Sequence, residues 1–272
     1  MDEPATLRSV RDAVAAATAE LEAAGCDTPR LDAELLAAAA IGTDRERLHL
    51  DGTAPLAPEV QERFDNTMRR RAAREPVAYI LGRRAFRRLD LAVDPRVLIP
   101  RPETELLVEI ALELPPGARV HDAGTGSGAV ALAIADERPD LIVSGSDRSA
   151  AAIEVARANA VRLGLEVELS VQRGFPPQAA ADLVVANLPY VAEAEWAVLA
   201  PEITEFEPRE ALVAGLDGLD AIRELVSGAP SGTRLALEHA PRQAAAVRAL
   251  LADAATRRDL SRRDRVTVGR VP

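Results

Sequence analysis

Apolar residues near the start of the chain recur at the spacing of helices. Between residues 7 and 24 they fall every three or four positions and so share one helical face: Leu7, Val10, Val14, Ala17, Leu21 and Ala24. Two further helices are predicted, one between Pro29 and Gly42 and one from about residue 58 to residue 74. Proline favours the first helical position and glycine the position after the last. Residues 1–75 are therefore predicted to form a small helical domain.

The pattern changes after residue 75. Residues 76–100 carry β-branched and other apolar side chains, and Gly82 and Pro95 interrupt them. Glycine and proline mark turns between short strands. We therefore predict a β-hairpin over this segment, which links the helical domain to the rest of the chain.

From residue 101 to residue 272, apolar strands alternate with helical segments. Strands are predicted at residues 119–123, 141–147, 166–171, 183–186, 234–238 and 265–270, and helices at residues 103–114, 128–137, 150–163, 219–227 and 242–252. Alternating strands and helices are typical of a parallel sheet that is covered on both faces. The predicted fold class is therefore α/β, with a Rossmann-like sheet domain after the helical domain and the hairpin.

A glycine-rich loop, residues 122–128, joins the first predicted strand to its helix and reads Asp-Ala-Gly-Thr-Gly-Ser-Gly. Glycines there let the backbone turn sharply and approach a ligand closely. Asp147 ends the next strand, where a carboxylate can accept hydrogen bonds from both hydroxyls of a ribose; a helix cap is the alternative role. The pattern fits NAD and S-adenosylmethionine equally, and a tight turn without a ligand is the structural alternative. The predicted cofactor-binding residues here are Asp122, Gly124, Thr125, Gly126, Ser127, Gly128 and Asp147.

The segment at residues 187–190, Asn-Leu-Pro-Tyr, follows the fourth predicted strand. The side-chain oxygen of Asn187 and the backbone carbonyl of Leu188 can accept the two N–H bonds of a planar amide or amine. Pro189 restricts the backbone of the residue before it, and Tyr190 offers a ring face on which a planar group can pack. With the glycine-rich loop upstream, this segment predicts methyl transfer from S-adenosylmethionine to a planar nitrogen. The four residues are the predicted catalytic residues.

The composition of the chain argues against several classes of function and of binding site. The net charge is −10, which argues against a protein that grips a nucleic-acid backbone. All 33 basic residues are arginine, so a lysine base and a P-loop lysine are excluded. One cysteine, Cys26, and three scattered histidines leave no intrachain disulfide and no zinc cluster to expect. We see no signal peptide and no apolar run long enough for a membrane span, and we expect a cytoplasmic location without a metal.

Eight arginines lie within residues 69–88: Arg69, Arg70, Arg71, Arg74, Arg83, Arg84, Arg87 and Arg88. A run of like charges is most simply a solvated surface. The alternative interpretation is a docking surface for an acidic partner.

Taken together, these motifs resemble those of the release-factor glutamine methyltransferases of the PrmC/HemK type. The resemblance covers nearly the whole chain, and the further matching segments are residues 75–82, 98–105, 206–208, 237–239 and 264–270. Among them, Leu-Ile-Pro-Arg-Pro-Glu-Thr-Glu at residues 98–105 is highly specific. The resemblance implies a class I S-adenosylmethionine-dependent methyltransferase domain over residues 101–272. It also implies a substrate-recognition domain over residues 1–75 and a hairpin linker over residues 76–100.

The implied reaction is methyl transfer to the side-chain amide nitrogen, N5, of the glutamine in the Gly-Gly-Gln motif of class 1 peptide chain release factors. The implied partner is thus a release factor. The enzyme is expected to be a monomer that binds neither a membrane nor a nucleic acid. The resemblance places Gly124 to Gly128, Asp147 and Asn187 on the cofactor, Phe175 against its adenine, and residues 187–190 on the substrate glutamine.

Two positions depart from the family pattern. Leu188 stands where the family has the first proline of Asn-Pro-Pro-Tyr, and Gly174 stands where it usually has an acidic residue. These departures leave open a divergent paralogue, either one with another protein substrate or a poorly active one. Two alternative functions also stay open: an N6-adenine or rRNA methyltransferase, which would hold its amine with the same segment, and a divergent paralogue that binds the cofactor without catalysis.

Overall fold

Helices with alanine- and leucine-rich inner faces form the first of two units in the structure, a computed structural model that describes residues 8–50, 52–175 and 181–272. The units divide between Gly82 and Arg83. The helices of the first unit are α1 (Val10–Ala23), α2 (Pro29–Ile41), α3 (Arg45–Leu50), α4 (Pro58–Ala72) and α5 (Val77–Leu81). Their apolar faces share one buried cluster, which confirms the predicted helices. Leu7, placed on the first helix by its spacing, lies outside the described residues.

The predicted hairpin is shorter than residues 76–100. Its strands are β1 (Arg83–Phe86) and β2 (Leu89–Ala92), which pair antiparallel. Residues 77–81 form α5 instead of a strand, since Pro76 precedes the first helical residue and Gly82, at φ 67°, ends the helix in the left-handed conformation. Phe86 and Leu91 are buried in the core of the second unit, so the hairpin belongs to that unit.

The second unit is built on a seven-stranded sheet with the order β5-β4-β3-β6-β7-β9-β8. Its strands are β3 (Arg119–Ala123), β4 (Ile142–Asp147), β5 (Glu168–Val171), β6 (Leu183–Ala186), β7 (Arg234–Glu238), β8 (Ala252–Arg258) and β9 (Asp264–Arg270). The helices of the second unit are α6 (Glu105–Leu112), α7 (Ala129–Glu137), α8 (Ala150–Leu163), α9 (Pro201–Thr204), α10 (Asp220–Gly228) and α11 (Ala244–Ala249). A mostly parallel sheet flanked by helices is the α/β architecture that the alternating strands and helices of the sequence predicted.

Both faces of the sheet are covered, as β6 shows. Its four residues are all buried, and they alternate between two apolar clusters. Leu183 and Val185 join the cluster that also contains residues of α6, α7, α8 and the hairpin. Val184 and Ala186 join the cluster that contains residues of α10 and α11.

One edge of the sheet differs from the prediction. The closing strand β9 pairs antiparallel with both of its neighbours, and β8 lies where no element was predicted, between the helix expected to end at residue 252 and the strand expected from residue 265. Residues 252–258 are mostly exposed, and the register of β8 on β9 shifts twice. An exposed edge strand rich in alanine and arginine carries no alternating apolar pattern, so its sequence does not predict a strand.

The order of the strands creates a switch point between β3 and β6. The chain runs outward from β3 through β4 to β5, then returns to β6 on the other side of β3. In parallel sheets, the crevice at the carboxyl ends of the two strands flanking such a point is the usual place for a ligand. The glycine-rich loop follows β3, and residues 187–190 follow β6.

Within the part of the chain that the structure describes, no helix has the length and apolar composition needed to cross a membrane.

Candidate active site

The glycine-rich loop at the end of β3 exposes backbone that carries no side chains. Gly124 and Gly126 have φ values of 78° and 56°, a region that favours glycine. A Cβ on Gly124 would lie 2.9 Å from Cδ2 of Leu188, whereas a Cβ on Gly126 would have no atom within 4 Å. Gly124 is therefore favoured by its left-handed backbone conformation, with the Leu188 side chain close by, and Gly126 presents bare backbone to the space above the sheet.

Asp122 holds the glycine-rich loop from within. Its Oδ2 accepts hydrogen bonds from the Thr125 hydroxyl at 2.7 Å and from the Ala131 backbone N–H at 3.2 Å. Burial raises the pKa of this carboxyl to about 6, partly offset by the two hydrogen bonds, and the nearby charge of Asp147 raises it slightly further. Its observed contacts therefore shape the loop.

Asp147 lies at the end of β4, beside the loop. Its Oδ2 accepts from the Gly126 N–H at 3.0 Å, and its Oδ1 accepts from the Ser149 N–H at 2.8 Å. The residue that caps α8 is Ser149, whose hydroxyl accepts from the Ala152 N–H. Each carboxylate oxygen has two acceptor positions, so both can still accept a ribose hydroxyl.

Asn187 follows β6 and is held by a residue far away in the sequence. Its Nδ2 donates to the hydroxyl of Thr104 at 2.9 Å. The side-chain oxygen of Asn187 is thereby left to face other groups. Thr104 ends a 3-10 helix (Pro102–Thr104) inside the specific segment at residues 98–105.

Tyr190 is anchored at both its backbone and its ring. Its carbonyl accepts from Nε2 of Gln243 at 2.9 Å, and its hydroxyl donates to Oε1 of Glu238 at 3.4 Å. Burial and the charge of Glu238 raise the pKa of the Tyr190 hydroxyl, so it stays a neutral donor. A Cβ on Gly218 would lie 2.2 Å from the Tyr190 carbonyl oxygen, so that position also requires glycine.

The segment at residues 98–105 is fixed by Glu207. This buried carboxylate accepts from the Ile99 backbone N–H at 3.1 Å and forms an ion pair with Arg101. Leu98 and Pro100 of the same segment face the cleft. Glu207 therefore sets the position of one cleft wall.

An open cleft of about 1180 Å³, its mouth included, brings the two motifs together. The predicted site residues that line it are Asp122, Gly124, Thr125, Gly126, Ser127, Asp147, Asn187, Leu188 and Pro189. Gly128, Tyr190 and Phe175 are described but are not among its lining residues. Phe175 is half-buried and packs with the apolar cluster around α10. Its contact with an adenine stays a prediction.

Four residues that support the site were not among the predicted site residues: Thr104, Glu207, Glu238 and Gln243. The first three lie in segments that carried the family resemblance. Gln243 had no sequence signal, because its hydrogen bonds reach Tyr190 and Asp217 across the fold.

Both units match family models. The model described as the PrmC N-terminal domain matches residues 12–82, and the methyltransferase small domain matches residues 102–205. The "Release factor glutamine methyltransferase" of Xylella fastidiosa is 46% identical over 95% of this chain and 97% of its own length. The protein of the same name from Cereibacter sphaeroides is 43% identical over 96% of this chain and 98% of its own.

A solved structure shares the fold. It is a T. thermophilus 16S rRNA N2 methyltransferase in complex with AdoMet and guanosine, with a TM-score of 0.50 and 17% sequence identity. The match covers 70% of this chain and 50% of that one.

Proposed function

The chain belongs to the family of release factor glutamine methyltransferases, and we propose that it methylates N5 of the glutamine in the Gly-Gly-Gln motif of class 1 peptide chain release factors. The methyl donor is S-adenosylmethionine. One observation carries the proposal: the glycine-rich loop and Asn187 line a single cleft. The side-chain nitrogen of Asn187 donates a hydrogen bond to Thr104, which leaves its side-chain oxygen for a substrate.

The cleft fits the donor. Gly126 has no atom within 4 Å of where a Cβ would stand, so its backbone can approach a ligand closely. Asp147 keeps acceptor capacity for ribose hydroxyls at the neighbouring strand end. When bound, S-adenosylmethionine supplies an electrophilic methyl group on a sulfonium. We assign the donor site to Asp122, Gly124, Thr125, Gly126, Ser127, Gly128, Asp147, Phe175 and Asn187.

The substrate amide is a poor nucleophile, because its nitrogen lone pair is delocalised into its carbonyl. The side-chain oxygen of Asn187 and the backbone carbonyl of Leu188 can accept its two N–H bonds and hold its nitrogen in place. Pro189 keeps the backbone of Leu188 extended, and Tyr190 packs beside the amide plane. The proton released after methylation goes to water, so these residues bind and orient.

The remaining expectations belong to the same proposal. The helical domain, residues 1–75, recognises the release factor, and residues 76–100 connect it to the methyltransferase domain at residues 101–272. The enzyme acts as a monomer in the cytoplasm, on a protein and not on a nucleic acid. The net charge of −10 supports the last point.

A transfer assay tests the proposal. The protein is incubated with S-adenosylmethionine labelled on its methyl group and with purified release factor, and ribosomal RNA is offered in a parallel reaction. We expect label on the wild-type release factor and none on a release factor whose Gly-Gly-Gln glutamine is replaced by alanine. Label on the RNA alone would replace this proposal with the rRNA alternative, and cofactor binding without any transfer would support the non-catalytic one.

A further inference from the structure

The cleft continues beyond Asp147 to a wall that the proposed reaction leaves without a role. This outer wall consists of residues 172–174, which follow β5, and of Ala221, Glu224 and Leu225 on α10. Residues three and four apart lie on the same side of a helix, so these three share one face of α10. Since β5 pairs with β4 on the side away from β3, the outer wall continues the row of strand ends that bind a ligand in such sheets. We therefore expect the group beyond a ribose held by Asp147 to meet this wall.

Within the outer wall, Glu224 lies beside Gly174, the position where the family usually has an acidic residue. A Cβ on Gly174 would lie 3.8 Å from Oε1 of Glu224. Nε and Nη2 of Arg173 donate to Oε1 and Oε2 of Glu224 at 2.7 and 2.9 Å, so this ion pair joins the end of β5 to α10. The carboxylate of Glu224 thus stands next to the place from which the usual acidic side chain would project.

We propose that Glu224 recognises the adenine of the methyl donor by accepting a hydrogen bond from its exocyclic amino group. In this chain the acidic group of the outer wall comes from α10 instead of from residue 174. The inference rests on the donor site of the proposed function, and it adds to that site a residue that selects the base.

A carboxylate suits this role because it can only accept hydrogen bonds. The hydrogen bond from Arg173 lowers the pKa of Glu224, so Glu224 is ionised at neutral pH. Each of its oxygens has a second acceptor position besides the one that Arg173 occupies. The amino group of adenine donates, whereas hypoxanthine has an oxygen at the same ring position, which a carboxylate repels. Glu224 therefore favours a donor that carries adenine.

Other polar side chains of the cleft fit this role less well. Asp122 is engaged within the glycine-rich loop, and Asp147 is assigned to the ribose. Gln172 carries a side-chain amide, which both donates and accepts and so does not distinguish the two bases. Glu210 is a further carboxylate that lines the cleft, but it belongs to the 3-10 helix Arg209–Ala211 and not to the outer wall. Glu210 therefore supplies a matched control.

Titration calorimetry with two ligands tests the proposal without catalysis. One ligand is S-adenosylhomocysteine, and the other is S-inosylhomocysteine, in which an oxygen replaces the amino group of adenine. We expect the wild type to bind the adenine ligand about tenfold more tightly, the lower end for a hydrogen bond to a charged group, because the Glu224 side chain is 43% exposed. In Glu224→Gln the two affinities should agree within about threefold, since an amide can accept from the amino group or donate to the oxygen. A Glu224→Gln variant that keeps the wild-type preference would overturn the proposal.

Two further variants separate recognition of the base from other roles of these side chains. Arg173→Gln breaks the ion pair but keeps the Glu224 carboxylate, so the preference for the adenine ligand should remain. If Arg173→Gln loses the preference as fully as Glu224→Gln does, the ion pair and not the carboxylate sets it, and the proposal is wrong. Glu210→Gln removes a carboxylate outside the outer wall and should also keep the preference. Its loss in Glu210→Gln alone would assign the base to Glu210 instead.

The two affinities of the wild type also distinguish this inference from the proposed function. A wild type that prefers the adenine ligand but methylates no release factor would refute the proposed function and support the role of Glu224. A wild type that methylates release factor but binds both ligands equally would support the function and refute that role.

Discussion

In the proposed reaction, Asn187 acts through its side-chain oxygen, because its side-chain nitrogen donates to Thr104. We predict that Asn187→Ala loses roughly 2.7–4 kcal/mol of transition-state stabilisation, the range found when one hydrogen-bonding group of an active site is removed. That loss corresponds to a kcat lower by about two to three orders of magnitude. Transfer of labelled methyl to release factor under saturating conditions measures it.

The rate of the variant Leu188→Pro is to be compared with that of Asn187→Ala. Leucine offers the same backbone carbonyl as proline and lacks only the fixed φ of the ring, which Pro189 partly replaces from the other side. The change should alter the rate by a few-fold, on the scale of about 0.4–1 kcal/mol for proline substitutions at compatible sites. An inert wild type that Leu188→Pro restores by orders of magnitude would show that the segment at residues 187–190 is disabled in this chain.

Asp147→Ala should weaken binding of S-adenosylmethionine by roughly 1.5–3 kcal/mol, the scale for hydrogen bonds to a charged group. The structure adds a second reason, because Asp147 also holds the Gly126 N–H. Titration calorimetry with the donor and with its demethylated product measures the change. Unchanged affinity in the variant, or binding of NAD by the wild type, would refute the assignment of this site.

The buried carboxyl of Asp122 should make the free energy of unfolding fall as pH rises. Burial raises its pKa from 3.8 to about 6 in the folded protein. Between those values the folded state holds a proton that the unfolded state has lost, so this carboxyl stabilises the fold below about pH 4, and that contribution is lost as pH rises through about 6. The free energy of unfolding, compared between wild type and Asp122→Asn at about pH 4 and pH 8, should differ most at pH 8, with the variant more stable. An equal difference at both values would contradict this assignment.

At the scale of elements, a short 3-10 helix, Pro241–Gln243, supports the segment at residues 187–190. Gln243 donates to the carbonyls of Tyr190 and Asp217 and accepts from the Ala240 N–H. Gln243→Ala leaves these groups without that partner, and we predict a loss of about 1–3 kcal/mol in the free energy of unfolding. Urea unfolding measures it. A fall in kcat at unchanged donor affinity should accompany it, since Tyr190 loses its backbone anchor.

The sequence predicted those elements whose apolar residues form a regular pattern. β3, β6 and β7 are buried runs that end at the site, and their bounds agree with the prediction. β8 could not be predicted, because an exposed strand at the sheet edge does not need an alternating apolar pattern. Residues 77–81 read as a strand by composition, yet the proline before them and the glycine after them favour the observed helix.

The arginines of residues 69–88 are largely paired within their own units. At least five of the eight form ion pairs with carboxylates: Arg70 with Glu75, Arg71 with Asp32, Arg83 with Asp90, Arg87 with Glu137, and Arg88 with Asp136. Arg71 is buried, so this member of the run is not on the surface. Pairing neutralises much of the charge that an acidic partner would need, which argues against a docking surface for such a partner.

At the scale of the whole molecule, we predict that the two units have different functions, one in methyl transfer and the other in recognition of the release factor. Residues 83–272 contain the complete cleft and form one unit. Expressed alone, they should bind S-adenosylmethionine with the affinity of the full chain and methylate a short Gly-Gly-Gln peptide at a comparable rate. Their kcat/KM on intact release factor should fall at least tenfold. Equal kcat/KM on the intact factor would refute recognition by the helical domain.

The cleft itself was predictable because its two motifs follow neighbouring strands of a parallel sheet, and the sheet brings their ends together. Its supporting contacts were not. Asn187 and Thr104 are 83 residues apart, and Tyr190 and Glu238 are 48 apart. Such pairs are created by the fold, so a pattern along the chain identifies the segments without revealing the hydrogen bonds.

β8 has a consequence for solubility. As the outer strand of the sheet, it offers unpaired backbone groups to any other chain, the usual starting point for edge-to-edge aggregation. Two register shifts interrupt its ladder with β9, and its two arginines are held in ion pairs, Arg257 with Glu113 and Arg258 with Asp264. A second copy approaching in register would meet an irregular row of backbone groups. The irregular pairing of β8 thus discourages fibre growth from the sheet.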